Sequence, residues 1–76
     1  MAVFRSPNEK RVTAHAEAHG WTVRSRDDLS GTVVYQKRGS GYLRVAFGMN
    51  GHVLRAATAK RPLRGTQAVL DYLEKT

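Results

Sequence analysis

Two clusters of side chains have types and spacings that could perform chemistry. His15 and His19 stand four residues apart, which places both on one face of a helix, where their ring nitrogens could ligate a metal ion. The metalloprotease arrangement needs a glutamate directly after the first histidine, and Ala16 occupies that place. With no third ligand evident, the pair is read as packing residues, as is His52 beside a tight turn, and no metal or other cofactor is expected. Asp27 and Asp28 precede a segment ending Tyr35-Gln36-Lys37, an outline of the Asp and Glu-x-Lys arrangement of metal-dependent nucleases. The carboxylate expected two residues before Lys37 is replaced by Tyr35, so the aspartates are read as turn residues balancing Arg24 and Arg26. No Gly-rich phosphate loop of the Walker type occurs, no catalytic residue is assigned, and the chain is read as not an enzyme.

The remaining chemistry is that of fixed charge. The formal net charge of the 76 residues is +7, and it resides in one segment. Residues 31 to 65 contain Lys37, Arg38, Arg44, Arg55, Lys60, Arg61 and Arg64 and no aspartate or glutamate. The part before is close to neutral and the part after slightly acidic. Ordinary surfaces intersperse the two signs, so an unopposed basic segment points to a polyanionic partner, nucleic acid above all. Arginines outnumber lysines nine to four, which suits bidentate contact with phosphates and base edges.

The elements that must position these cations follow from period and turn chemistry. Ser6-Pro7-Asn8-Glu9 predicts a helix start, with Ser6 as cap, Pro7 in the first helical position and Glu9 closing a capping box. The helix is expected to run to about His19 and to end at Gly20. From Trp21 the period becomes two, with Trp21, Val23 and Ser25 facing one way and Thr22, Arg24 and Arg26 the other. Thr32-Val33-Val34-Tyr35 and the run Tyr42 to Phe47 form the next two strands, around a three-residue loop in which Gly41 is left-handed and Arg38 pairs with Tyr42. Asn50-Gly51 suits a two-residue turn that sets Met49 against His52, Phe47 against Leu54, Val45 against Ala56 and Leu43 against Thr58. These registers together send the apolar residues to one face. The other face gathers Arg24, Arg26, Gln36, Arg38, Tyr42, Arg44 and Arg55, cations interleaved with a tyrosine, as phosphates and unstacked bases require. A merely solvated polar face is the alternative, but it does not account for the missing acids. The basic loop Lys60-Arg61-Pro62-Leu63-Arg64-Gly65 then leads to Thr66, read as the N-cap of a second helix with an apolar stripe of Ala68, Val69, Tyr72 and Leu73. Free amides, helix dipole and three cations meeting there would favour a phosphate.

Residues 1–76 are expected to form a single small basic domain, one layer of helix on sheet, without repeats or linkers. The absence of cysteine excludes disulfides and thiolate metal sites, and no apolar run is long enough for a signal peptide or membrane span, so a cytoplasmic location is expected. The predicted class is α+β: four antiparallel strands, three at the fewest, with N- and C-terminal helices packed on one face, in the order α-β-β-β-β-α.

That order resembles double-stranded-RNA-binding-like domains and the small HicA-type toxin ribonucleases. Gly20-Trp21 after the first helix and Gly65-Thr66 opening an apolar second helix look like the corresponding HicA positions. The resemblance implies this topology and contact with RNA or DNA. HicA-type enzymes carry a catalytic histidine on an early strand after a Gly-Ser pair, and here no histidine lies between His19 and His52, so the resemblance carries over no catalytic residue. The expected function is non-enzymatic nucleic-acid binding through Arg24, Arg26, Arg38, Tyr42, Arg44 and Arg55 on the sheet and Lys60, Arg61 and Arg64 in the loop. A small phage-type or regulatory protein that docks on an acidic protein partner is the alternative, and a HicA-like ribonuclease a distant third.

Overall fold

Helix α1 (Pro7–Ala18) has a weak apolar face, and it forms because Val12 and Ala16 are small enough to lie flat on a sheet. A Schellman motif ends it: the amide of Trp21 donates to the Ala16 carbonyl at 2.9 Å and that of Gly20 to the Glu17 carbonyl at 3.2 Å. Gly20 takes φ +88°, which side-chain-bearing residues rarely adopt, and the reversal drops Trp21 into the core. These features come from a computed structural model describing residues 7–27, 29–39, 41–48 and 51–76, so the expected caps and pairings of Ser6 and Met49 lie outside the described residues.

An antiparallel meander follows, in the spatial order β1 (Thr22–Asp27), β2 (Thr32–Lys37), β3 (Gly41–Phe47), β4 (Val53–Thr58), β5 (Pro62–Leu63), before helix α2 (Gly65–Lys75). The α+β class and helix positions match expectation, while the open sheet has five strands rather than four. The extra strand comes from the loop after Thr58. Its hydroxyl accepts from the amides of Lys60 and Arg61, tightening a turn that lays Pro62 and Leu63 along β4. Pro62 has no amide to donate, which suits an edge strand.

One face of the sheet presents Val33, Tyr35, Leu43, Val45, Phe47, Ala56 and Leu63 to Val12 and Ala16 of α1 and to Val69, Leu70 and Leu73 of α2. Within this core the Trp21 indole donates to the Leu73 carbonyl at 3.3 Å, and the Tyr35 phenol shares a 2.8 Å hydrogen bond with the Thr13 hydroxyl. Burial pushes the Tyr35 phenol up to about 12, partly opposed by that hydrogen bond.

Both expected hairpin registers change in detail, and apart from Leu54 the residues they place keep their facing. In the β2–β3 hairpin Gly41 is left-handed as expected, yet Lys37 rather than Arg38 closes the pairing, opposite Gly41. Moving two residues preserves the alternation, so Val33 and Tyr35 still face inward. At the next hairpin the Gly48 amide donates to the His52 carbonyl at 2.8 Å and the Gly51 amide to the Gly48 carbonyl at 3.0 Å, with Gly51 at φ +84°. The pairing next to the turn is thus shifted by one from that expected, while the expected turn residue Asn50 lies outside the described residues. Leu54 then bulges out, 69 % exposed, so Phe47 faces Val53 instead of Leu54, while Val45–Ala56 and Leu43–Thr58 pair as expected.

The helices lie side by side and parallel. Near their N-termini the Asn8 amide donates to the Thr66 hydroxyl at 3.3 Å and to the Gly51 carbonyl at 2.8 Å; near their C-termini His15 meets Glu74. Thr66 is therefore not the N-cap expected. The helix begins at Gly65, and the Thr66 hydroxyl is engaged by α1.

Candidate nucleic-acid interface

Because both helices cover the same face, strand alternation leaves the opposite face open. Arg44 in β3 pairs with Val34 of β2 and Ala57 of β4, and Arg55 pairs with Ala46, so the two guanidinium groups share that face with small apolar neighbours. Between them Thr32, Ala46, Ala57 and Pro62 floor a shallow hollow of about 390 Å³. On the other side of Arg44 a second hollow is lined by Arg24, Ser25, Val34 and Tyr42. Tyr42 is 40 % exposed and lines this hollow together with Arg24 and Arg44. The structure thus brings together Arg24, Tyr42, Arg44 and Arg55, with Gln36 opposite Tyr42 at the margin.

Other members of the expected set are placed differently. Arg26 is on the helix side. Arg24 is an extra residue in β1, a bulge between Val23 and Ser25, and beyond it the alternation inverts, so Arg26 pairs with inward-facing Val33. There its Nε donates to Glu9 Oε2 at 2.8 Å and its Nη2 to Glu9 Oε1 at 3.2 Å, a bidentate pair with a carboxylate only 1 % exposed. Arg38 is exposed but stands in the turn after β2, off the sheet face, because pairing stops at Lys37.

The basic loop does not converge on the start of α2. Lys60 and Arg61 line a hollow with Gly39, Tyr72 and Thr76, at the far end of the helix, about 15 Å from its first residue by helical rise. Only Arg64 stands at the N-terminus. The reason is β5, which runs the chain back along β4 at the edge of the sheet before α2 begins. The cations therefore form a face patch (Arg24, Arg44, Arg55) and an end cluster (Lys60 and Arg61, beside the turn bearing Arg38), with Arg64 apart from both.

The nuclease-like outline does not assemble among the described residues. Asp27 Oδ1 accepts from the Leu29 amide at 3.0 Å as a turn residue, and Lys37 Nζ donates to the Thr76 carbonyl at 3.0 Å. The two histidines acquire a neighbour that spacing could not reveal: Glu74 lies with them, ligand atoms mutually within 4.8 Å. No helix among the described residues is long and apolar enough to cross a membrane. No protein-family model, curated protein or solved structure matches the chain.

Proposed function

We propose that the protein binds nucleic acid without catalysing a reaction, through the open sheet face. The observation that carries this reading is that Arg44 and Arg55 line one hollow floored by small side chains, in a segment containing no acid to neutralise them. A guanidinium holds a phosphate with two parallel hydrogen bonds, and Ala46 and Ala57 leave room for the sugar-phosphate chain to lie close to the strands. Tyr42, exposed in the same hollow as Arg24 and Arg44, supplies a ring on which an unpaired base can stack. The end cluster of Lys60 and Arg61 extends the basic surface beyond the sheet.

Titration with random duplex DNA, duplex RNA and single strands, from low to moderate salt, tests it. The expected result is a linear fall of log affinity with log salt, steeper by about 0.9 for each phosphate contacted on duplex DNA. Arg44→Ala combined with Arg55→Ala should flatten that slope by about 2. Absence of binding to every one of these ligands at low salt would refute the proposal and favour an acidic protein as the partner. Breakdown of RNA during the titration, abolished by one substitution, would refute its non-enzymatic part.

A further inference from the structure

We propose that His15, His19 and Glu74 form a binding site for a divalent metal ion of the zinc class, on the helical side of the sheet where the C-termini of α1 and α2 converge. Three observations carry it. First, three groups of suitable chemistry meet: the ligand atoms of His15, His19 and Glu74 lie mutually within 4.8 Å. Two imidazoles and a carboxylate are the donor set of zinc sites that keep a coordination position open, here facing solvent beside half-exposed Glu74.

Second, the nitrogens are poised as ligands rather than as hydrogen-bonding groups. His19 Nδ1 lies 3.0 Å from the His15 backbone carbonyl, which can only accept, so Nδ1 carries the proton and the Nε2 lone pair is left for a metal. His15 Nε2 is buried without a hydrogen-bond partner, although Glu74 Oε1 lies only 3.4 Å away. That is a close approach without the geometry of a hydrogen bond. With metal–ligand bonds of about 2.0–2.1 Å, two ligands of a tetrahedral ion stand about 3.4 Å apart, which this separation matches.

Third, the setting attracts a cation within a basic protein. Two parallel helices direct the negative ends of their dipoles to the same place, next to a carboxylate. The patch of Arg24, Arg44 and Arg55 lies on the opposite face of the sheet. An ion here would tie α1 to α2 at the end opposite the Asn8–Thr66 contact.

The test is calorimetric titration of the full chain, free of any histidine tag, with zinc chloride, and cobalt substitution followed by visible absorption. The expected results are one saturable equivalent per chain and cobalt bands of low-coordinate intensity. Glu74→Gln and His19→Gln, near the surface, should each weaken binding by more than about tenfold while circular dichroism stays unchanged, and His52→Gln should have no effect. Absence of saturable binding, or unchanged affinity in Glu74→Gln and His19→Gln, would overturn the proposal. Loss of binding in His52→Gln would do so equally, by placing the ion elsewhere.

Discussion

Replacing Arg26 by methionine separates a buried ion pair from an exposed strand cation. Glu9 is 1 % exposed, and its two oxygens accept from Arg26 at 2.8 and 3.2 Å. Methionine keeps much of the aliphatic stem and removes the charge, taking the guanidinium away from a buried carboxylate between α1 and β1. Breaking a buried pair from one side costs about 3–5 kcal/mol, chiefly the desolvation of the charge left behind. A chain of 76 residues has a total stability of about 4–11 kcal/mol at about 0.05–0.15 kcal/mol per residue, so Arg26→Met should remove about a quarter of it or more. Removing both members of the pair, Glu9→Met with Arg26→Met, takes the buried carboxylate away together with its guanidinium and should restore much of the loss. Urea denaturation followed by fluorescence reports this directly, because Trp21 is the single tryptophan and is buried. With a slope of about 1 kcal/mol per molar urea, the single substitution should lower the midpoint by about 3 M or leave the protein unfolded in buffer. A loss below about 1 kcal/mol is what an exposed strand arginine would show, and would refute the inverted facing of Arg26.

Stability should also fall at high pH through Tyr35. Its phenol titrates at about 12 instead of its ordinary value near 10, so its contribution is complete below about pH 10 and is lost as pH rises through 12. That rise corresponds to about 2.7 kcal/mol, and denaturation of Tyr35→Phe across that range should lack this component; an identical pH dependence in both proteins would contradict it. In nucleic-acid titrations Arg44→Ala should lower the salt slope by about 1, whereas Arg38→Ala, off the sheet face, should leave it within error; equal effects would show that the hairpin turn contacts the ligand as closely as the strands do.

Much of this protein could be read from short stretches of chain, because the relevant physics is local. The helix ending at Gly20, the change to a period of two, the inward facing of Val33, Tyr35, Leu43 and Val45 and the outward facing of Arg44 and Arg55 follow from glycine conformations and alternation. The charge asymmetry of residues 31 to 65 is a property of composition alone. Two bulges mark where local reading stops. Nothing in Val23-Arg24-Ser25 or Val53-Leu54-Arg55 announces an extra residue, since a bulge is decided by what the neighbouring strands and turns must satisfy. The one at Leu54 leaves the sheet face intact by offsetting the shifted pairing of Phe47 with Val53, whereas the one at Arg24 turns Arg26 from the solvent face to the helices. Only the tertiary structure could bring Arg26 to Glu9, carry Lys60 and Arg61 to the far end of α2, or set Glu74 beside His15, because these partners are separated by many residues and meet only once a shared core holds both elements. The sequence by itself determined the amphipathic sheet and its unopposed basic charge; packing decided which cations share a face and which acid is neutralised.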